Sequence, residues 1–543
     1  AIDDARRRAH RRPPCYVVVT LRGPFPDRTP PRRPFGLRWP WEDAALSVEG
    51  FGELLERLAA DARVAGVVLR LHALGLPPAK VQSLRQAVER FRRRGKRVVA
   101  YATQIDTLSY ALATAADEIV VPESAEIHVV GLAVQATFLK DTLGMAGVEA
   151  DIEAIAEYKT AGDVLRRSEM SPAHREMLDA LLDSLYAQIV GAIAAGRRMS
   201  REAVRAAIDA MPMTARQAQA AGLVDALRYE DELGARLGAP GGLVTWEAAR
   251  AWVRRPRRWL PDRAVGVVAV EGTIVVGPSR RLPLPIPRLG VLAGSETVIQ
   301  ALRQAERQQH IAAVVLLVDS PGGSALASDL IWREVRRLAR KKPVVASFGP
   351  VAASGGYYVA AGASAIVAQP GTITGSIGIL GGKVVTAGLF AKLRAGRELL
   401  WRGAAAAMLR DAAPFSGPER ARLQALLADG YERFLARVAD GRRLTRDAVQ
   451  TVARGRVWSG EQALERGLVD ELGDFELALA RAKALAGLDP RRWTPVVALR
   501  PAKLPLLAPP WPPASAGGWA EALGGLRPGE RLALCPWTLT FGG

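Results

Sequence analysis

The sequence has only two cysteines, Cys15 and Cys535, and five histidines. Two cysteines so far apart support neither a zinc site nor a disulfide framework, and the histidines form no cluster with metal-ligand spacing. We therefore expect no metal and no other cofactor. Apolar runs are short as well, and none reaches the eighteen or so residues that a membrane span needs.

Lysine is also scarce, although the chain is strongly basic. The net charge of +19 comes from an excess of arginine, and such a charge can serve binding to nucleic acid or to a membrane surface. The arginines are spread over amphipathic helices with few aromatic residues among them, so no nucleic-acid module is recognisable. We attribute the charge to compositional bias and predict that nucleic acid is not a partner.

What the sequence does contain is a strand–helix–strand rhythm, which is typical of a parallel sheet with crossover helices. Apolar runs predict strands at 64–71 and 97–101, with a helix near 78–94 between them. The rhythm returns in the second half of the chain. Residues 64–69 match 311–316 at an offset of 247, and later matches keep offsets of 245 to 247. Two copies of one α/β domain are therefore predicted.

The repeat divides the chain of 543 residues into five predicted parts. They are a basic disordered arm (1–14), an N-terminal domain (15–236), a linker (237–262), a C-terminal domain (263–486) and a tail rich in Pro, Gly and Trp (487–543). Each copy is long enough to bury its own core. The chain begins with Ala1 rather than Met, so the sequence leaves open whether a signal or anchor segment precedes it.

One serine lies where a nucleophile would benefit from the fold. Ser354 follows the β-branched run 343–348 and precedes Gly355, Gly356 and an apolar segment, 357–363, that predicts a buried helix. A serine between a strand and a helix meets the free N–H groups and the positive end of the helix dipole. The alternative is that this serine only caps the helix.

The two copies differ in opposite ways at the positions that would carry chemistry. In the first copy Thr107 stands where Ser354 stands in the second, and no glycines follow it. Conversely, Lys159 of the first copy corresponds to the alanine-rich stretch 403–407 of the second. A solvated loop lysine would be the ordinary interpretation. The complementary loss across the duplication instead favours a shared role for the lysine and the serine.

A serine needs a base to act as a nucleophile at neutral pH. A lysine can supply it when burial lowers its pKa, and a Ser-Lys dyad is a known variant of the catalytic triad. His128 and His310 stay open as alternative bases. Lys159 and Ser354 lie 195 residues apart, one in each copy. They can meet only if the first copy packs beside the second.

An acyl transfer also needs backbone donors for its oxyanion. Gly355, directly after the serine, offers one N–H group. The turn at Gly322 and Gly323, after the predicted strand 314–318, offers the second. An ordinary tight turn is the alternative for this glycine pair, whereas a phosphate cradle is disfavoured because no Gly-Lys-Ser/Thr sequence follows.

In combination, these motifs resemble the long, tandem form of signal peptide peptidase A (protease IV). The likeness covers about residues 16–486 and rests on four motifs: Tyr158-Lys159-Thr160, 168–172, 319–323 and 353–357. The resemblance implies a Clp protease/crotonase-like fold duplicated in tandem, with Ser354 as nucleophile and Lys159 as general base. It also implies bowl-shaped homotetramers that cleave remnant signal peptides and other unfolded or hydrophobic peptides.

The resemblance further implies membrane association in the cell envelope, with the catalytic part outside the cytoplasm. Bacterial members of this family usually carry an N-terminal anchor, and none is visible in this sequence. An anchor just upstream of the arginines at 6–12 would place them on the cytoplasmic side by the positive-inside rule. A cytoplasmic location is the alternative.

Two functions of other classes stay open. A crotonase-type acyl-CoA enzyme would use the same glycine turn for a thioester oxyanion and would need neither Ser354 nor Lys159. A non-catalytic membrane-associated scaffold would keep its function after Ser354→Ala. Sensitivity to serine-directed acylating inhibitors would separate the peptidase from the acyl-CoA enzyme.

Overall fold

The computed structural model of the chain describes residues 14–23, 25–28, 46–72, 74–253, 262–281 and 291–499, together with the backbone of 532–534. These residues form two compact units. The first unit contains residues 14–134 and 182–253, and the second contains 135–181 and the described residues from 262 onward. Most of the predicted arm and most of the predicted tail lie outside the described residues.

The elements follow one another along the chain as the predicted rhythm requires. Up to residue 134 they are β1 (Cys15–Leu21), α1 (Val48–Ala59), β2 (Val64–Leu71), α2 (Pro78–Arg93), β3 (Arg97–Ala102), β4 (Gln104–Asp106), α3 (Thr107–Ala113), β5 (Glu118–Val121) and β6 (Glu126–His128). From residue 135 to 253 they are α4 (Lys140–Ala146), β7 (Glu149–Ala154), a 3-10 turn (Thr160–Gly162), α5 (Asp163–Arg166), α6 (Pro172–Arg197), α7 (Arg201–Asp209), β8 (Met213–Thr214), α8 (Ala215–Ala220), β9 (Ala226–Leu227), a 3-10 turn (Glu230–Glu232), α9 (Leu233–Leu237), β10 (Leu243–Thr245) and α10 (Trp246–Ala249).

The remaining elements all belong to the second unit. They are β11 (Ala264–Glu271), β12 (Thr273–Val275), β13 (Arg280–Arg281), β14 (Val291–Gly294), α11 (Ser295–Arg307), β15 (Ile311–Ser320), β16 (Gly322–Ser324), α12 (Ala325–Ala339), β17 (Val344–Ala353), α13 (Gly355–Ala360), β18 (Ala365–Ala368), β19 (Ile373–Gly375), β20 (Leu380–Val385), α14 (Ala387–Lys392), α15 (Gly417–Arg442), α16 (Arg446–Val452), β21 (Val457–Ser459), α17 (Gly460–Glu465), β22 (Glu471–Leu472), α18 (Phe475–Leu485), β23 (Val496–Ala498) and β24 (Leu532–Leu534).

The first unit is built on a six-stranded sheet in the order β10-β1-β2-β3-β5-β9, with parallel pairing throughout. Apolar clusters cover both of its faces, which is why its central strands read as continuous β-branched runs rather than alternating ones. Helix α1 shows how the helices attach. The Ser47 hydroxyl accepts from the Gly50 N–H (2.8 Å) and caps the helix, and one apolar stripe, which includes Phe51 and Leu58, is buried.

The second unit holds two sheets. The larger has the path β21-β19-β17-β15-β11-β23, with β18 paired to β17 and β22 paired to β18. The other has the order β13-β14-β12-β16-β24-β20-β7. In it β7 pairs antiparallel with β20 over six residues, from Leu380 with Ala154 to Val385 with Glu149. This pairing places the segment 135–181, which lies between the two stretches of the first unit in the chain, in the second unit.

The two copies repeat individual contacts as well as strands. In the first unit the buried Tyr110 hydroxyl donates to the Leu223 carbonyl oxygen (2.7 Å). In the second unit Tyr357 donates to Leu468 in the same way (2.8 Å). Burial raises the pKa of both tyrosines, so each hydroxyl stays protonated and available as a donor.

An ion pair recurs at matching positions of the copies. Arg197 lies 2.7 Å from Asp225 in the first unit, and Arg442 lies 2.7 Å from Asp470 in the second. Each carboxylate also accepts from a backbone N–H group of a neighbouring strand (2.7 Å). Burial is the largest single influence and would by itself raise the pKa of both carboxyl groups. The arginine hydrogen bond, the arginine charge and the backbone hydrogen bond together outweigh burial and hold each pKa below its usual range.

The predicted domain boundaries stay a prediction, and the positions of three segments in the sheets bear on them. The segment 135–181 lies in the second unit because β7 extends a sheet there. Strand β10, inside the predicted linker 237–262, is the edge strand beside β1. Strand β23, inside the predicted tail 487–543, pairs with β11.

Candidate active site

Ser354 lies between β17 and α13, at the N-cap position of the helix. Its hydroxyl makes no capping bond to the helix, so capping does not account for this serine. Its backbone has φ of 54° and ψ of −114°, a conformation that strains a residue with a β-carbon by about 1–3 kcal/mol and that clusters at functional sites. The Ser354 N–H donates to Gly375 and its carbonyl accepts from Tyr358 (both 2.8 Å), which holds the strained turn in place.

Lys159 precedes the 3-10 turn that follows β7, and its side chain is only 1% exposed. Its Nζ atom lies 2.7 Å from Ser354 Oγ. Two further oxygen atoms lie 3.0 Å from Nζ, the carbonyl oxygen and the hydroxyl of Ser376. Ser354 itself is fully buried. The two residues that the sequence singled out are therefore in direct contact inside one unit.

The three oxygen atoms around Lys159 suit both protonation states of the amine. A charged ammonium has three N–H donors, one for each oxygen. A neutral amine has two donors, which the oxygens of Ser376 can accept, and one lone pair, which can accept the hydroxyl proton of Ser354. A proton can therefore pass between Oγ and Nζ without any side chain changing place. Burial favours the neutral amine because it disfavours the ammonium.

The segment 454–456 holds both the lysine and Ser376. The Ser376 N–H donates to the carbonyl oxygen of Arg456 (2.7 Å). Gly455 has φ of +80°, and a β-carbon there would lie 2.4 Å from the backbone nitrogen of Lys159. Only glycine fits so close to the lysine backbone.

An exposed carboxylate ties this segment to the start of α6. Glu176 accepts from Arg456 (2.6 Å) and from the Tyr158 hydroxyl (2.9 Å). These hydrogen bonds, first that from Arg456 and then that from Tyr158, hold the pKa of Glu176 below its usual range. The Arg456 guanidinium also lies 4.8 Å from the centre of the Tyr158 ring. Tyr158, which directly precedes Lys159, is thus held by its hydrogen bond to Glu176 and by the contact of its ring with Arg456.

The two glycine motifs of the sequence meet beside Ser354. Ser320, the last residue of β15, pairs with Ala352 of β17 two residues before the serine. Gly356 lies directly against that strand end, since a β-carbon on it would be 2.6 Å from the Ser320 carbonyl oxygen. The absence of a side chain at this position lets the helix start close to the glycine turn.

The predicted oxyanion donors differ in their present partners. The Gly322 N–H already donates to Ser320 Oγ (3.1 Å). Gly323 is extended against β12, where a β-carbon would lie 2.0 Å from the Ile274 carbonyl oxygen. Gly355 is the first residue of α13, and the N–H groups of the first helical turn have no partner within the helix. Gly323 also pairs with β24, so Gly355 is the more available donor, and the oxyanion role of these glycines stays a prediction.

Among the described residues, neither alternative base stands on an element that carries Ser354 or Lys159. His310 directly precedes β15, whose other end carries Ser320. A strand of ten residues spans about 33 Å, so His310 is far from the serine. His128 belongs to the first unit, as the last residue of β6. No group of three metal-ligating side chains occurs in the described part of the chain.

Thr107 of the first copy has a different environment from Ser354. It is the first residue of α3 and is buried, and its hydroxyl accepts from the Gly131 N–H (3.1 Å). The helix is capped by Asp106, whose carboxylate accepts from the Ser109 N–H (2.6 Å). The threonine hydroxyl thus supports the backbone of its own unit.

The sequence did not point to Ser376 or Gly455. Ser376 follows β19, and its backbone also has a positive φ, 50°. Neither residue stands in a pattern that marks catalysis, since each works through its position beside Lys159. Buried oxygen atoms near a candidate base can be recognised only when the fold is known.

Three comparisons place the chain among known proteins. A family model described as peptidase family S49 matches residues 90–240 and 336–489. The chain is 33% identical to the chloroplastic serine protease SPPA of Arabidopsis thaliana, over 87% of this chain and 69% of that protein. It is 30% identical to protease 4 of Haemophilus influenzae, over 79% and 72% of the respective chains. A solved membrane-bound stomatin-specific protease aligns with a TM-score of 0.28 and 18% identity, covering 45% of this chain and all of that one.

The matches bear directly on two predictions. The family model matches once in each half of the chain, and each unit has a sheet of mainly parallel strands. The predicted tandem duplication of an α/β domain is therefore confirmed. The predicted resemblance is confirmed as well, because the similar proteins are named as proteases of this kind and match most of the chain.

Proposed function

Since the chain belongs to peptidase family S49, we propose that it is a serine endopeptidase in which Ser354 is the nucleophile and Lys159 is the general base. One observation carries the proposal: the Nζ atom of Lys159 lies 2.7 Å from Ser354 Oγ, and both side chains are buried. That distance is within the range that a base needs to take a proton directly. Family membership and local geometry thus favour the same chemistry.

Acylation would begin when neutral Lys159 takes the hydroxyl proton of Ser354. The Oγ atom bonds to the carbonyl carbon of the scissile peptide, and the carbonyl oxygen becomes an oxyanion. The N–H groups of Gly355 and Gly323 are the proposed donors to that oxyanion. The lysine ammonium then gives its proton to the leaving nitrogen, and the C–N bond breaks. An acyl-enzyme on Ser354 remains.

Deacylation would use the same groups, with a water molecule in place of the Ser354 hydroxyl as the attacking group. The neutral amine of Lys159 takes a proton from a water molecule, whose oxygen attacks the ester carbon. The ester bond to Ser354 breaks, and the ammonium returns its proton to Oγ. The carboxylic acid product leaves and the resting dyad is restored. Ser376 keeps Nζ in place throughout, because it accepts hydrogen bonds in both protonation states.

The proposed substrates are remnant signal peptides and other unfolded or hydrophobic peptides. The resemblance to signal peptide peptidase A supports this substrate class. Membrane association in the cell envelope and assembly into homotetramers are proposed on the same ground. A cytoplasmic location is the alternative, and fractionation of cells that express the full-length gene would decide between them.

Two features of the chain bear on membrane association and assembly. Among the described residues, only α6 is long and apolar enough to cross a membrane by length and composition, a test that core helices of soluble proteins also pass. In the second unit, Leu400 is 88% exposed and Trp401 is 53% exposed, with Arg397 and Arg402 beside them. Contiguous exposed apolar patches mark contact surfaces, and these two neighbouring side chains support such a surface here.

The chemistry can be tested by covalent labelling of the full chain. A fluorophosphonate probe should form an adduct on Ser354, located by mass spectrometry of the digested protein. Prior treatment with a hydrophobic peptide aldehyde should slow the labelling, since it would occupy the same site. An acyl-CoA enzyme or a scaffold would leave Ser354 unlabelled, and that result would refute the peptidase.

A further inference from the structure

A strand from late in the chain lies in the smaller sheet of the second unit. Strand β24 pairs antiparallel with β16, with Leu534 opposite Gly322, Ala533 opposite Gly323 and Leu532 opposite Ser324. On its other side it pairs antiparallel with β20, through Leu532 and Leu380. Three residues of the predicted tail therefore lie between two strands that are otherwise unconnected.

The position of β24 is next to the proposed catalytic groups. Its partner β16 contains Gly323, a proposed oxyanion donor. The strand also contacts α13, whose N-cap residue is Ser354. Proteins commonly bind an extended peptide by pairing its backbone with a free strand edge. Without β24, strands β16 and β20 would lie about 10 Å apart, twice the spacing of paired strands, which leaves room for one added strand.

The tail strand and a peptide substrate would need the same backbone groups. A substrate that pairs with β16 would bring its carbonyl group beside Ser354 and the glycine N–H groups, and β24 already pairs there. The burial of Ser354 agrees with a covered site. The sequence Leu-Ala-Leu is apolar and uncharged, like the peptides proposed as substrates. A strand of three residues is at the short end of strand lengths, so few backbone hydrogen bonds hold it in place.

We propose that residues 532–534 form an inhibitory strand, which fills the substrate slot between β16 and β20 and must leave before a peptide binds. This inference rests on the proposed peptidase function, since a slot for substrate exists only if Ser354 is a nucleophile. The enzyme would then be slow at rest and would become faster whenever another partner removed the strand. The strand acts by occupancy alone, without any covalent step.

A matched pair of variants in the full chain tests this role. Ala533→Pro removes a backbone N–H, and proline does not fit in the middle of a sheet. Ala533→Val keeps the N–H and favours a strand. We expect the fluorophosphonate to label Ser354 at least about fivefold faster in Ala533→Pro, because a larger fraction of the molecules has an open slot. Ala533→Val should label like the unmodified chain.

A second arm uses the tail sequence as a separate peptide. A synthetic peptide of residues 528–538 should slow the labelling of Ala533→Pro, and the same peptide with proline in place of its alanine should not. Hydrogen exchange at Gly322–Ser324 should become faster in Ala533→Pro only.

The outcomes separate the two proposals. Equal labelling rates in the unmodified chain and both variants would overturn the inhibitory strand and leave the peptidase intact. No labelling of Ser354 in any of them would overturn the peptidase, and the inhibitory role with it.

Discussion

The Nζ atom of Lys159 and the Oγ atom of Ser354 lie 2.7 Å apart, although 195 residues separate the two in the chain. Both residues belong to the second unit, because the segment 135–181 joins it through the pairing of β7 with β20. The lysine thus reaches the serine by strand pairing within one unit. The predictions below test what this contact does.

Ser354→Ala should lower peptidase activity at least about a thousandfold, because no nucleophile would remain. Thr107→Ala is the matched control at the equivalent position of the first copy. It should leave activity unchanged and cost about 1 kcal/mol of stability, since the Gly131 N–H loses its acceptor. Hydrolysis of a fluorogenic peptide measures the activity, and denaturant unfolding measures the stability. Equal loss of activity in both variants would contradict a single active copy.

Lys159→Arg should be as inactive as Lys159→Ala, because a guanidinium does not lose its proton in proteins. In the unmodified enzyme, acylation should rise with pH as the lysine becomes neutral, with a midpoint well below the ~10.4 of a free lysine. Lys159→His should retain a trace of activity. Single-turnover acylation rates at a series of pH values provide the measurement. Substantial activity of Lys159→Arg with an unchanged pH profile would mean that another group is the base.

Ser376→Ala should reduce the acylation rate by roughly tenfold, or ~1.4 kcal/mol of barrier, because Nζ loses one of its two hydrogen-bonding partners on this residue. The pH midpoint should also fall, since a hydroxyl stabilises an ammonium more than a neutral amine. Ser347→Ala, a buried serine in β17, is the control and should change neither quantity. A slower rate with an unmoved midpoint would indicate a purely structural role for Ser376.

Asp470→Asn should destabilise the second unit by about 1–2 kcal/mol at pH 7, a value reduced from that of a buried pair because the carboxylate is partly exposed. The depressed pKa of Asp470 makes its contribution present above the unfolded value of ~3.9 and lost as the pH falls through the folded value. The difference from the unmodified chain should therefore shrink in acid. Hydrogen exchange at the Ile366 N–H, which donates to Asp470, provides a local readout.

Asp225→Asn is the internal control for that experiment. The same pair recurs in the first unit, and Ile119 is the corresponding donor. In Asp225→Asn, hydrogen exchange at the Ile119 N–H should change in the same direction as exchange at Ile366 does in Asp470→Asn. The change should depend on pH in the same way. A stability difference that grew in acid for either variant would contradict the assigned direction of the pKa shifts.

The sequence predicted the regular parts of the fold because they depend on local patterns. Strand β2 was predicted with the bounds that the structure has, and Ser354 was placed at a strand-to-helix turn. The duplication was visible because repeated strands keep their spacing. These features follow from periodicity and from the order of elements along the chain.

The parts that sequence could not predict depend on contacts between distant segments. Nothing local marks β7 as a partner of β20, since strand pairing is decided by which edges meet. Strand β24 is only three residues long and lies in a proline-rich stretch. Ser376 and Gly455 matter through their distance from Lys159 and have no pattern of their own. The end of β17 was also underestimated, because Val351–Ala353 are fixed by pairing with β19.

The placement of 135–181 in the second unit also sets the order in which activity can arise during synthesis. Lys159 leaves the ribosome 195 residues before Ser354, an interval of roughly 10 to 40 s at usual elongation rates. Its strand β7 has to wait for β20, which is made later still. A nascent chain that has completed the whole sheet of the first unit would therefore still lack Ser354, the proposed nucleophile. The proposed peptidase can therefore become active only after translation has passed Ser354 and β20 in the second copy.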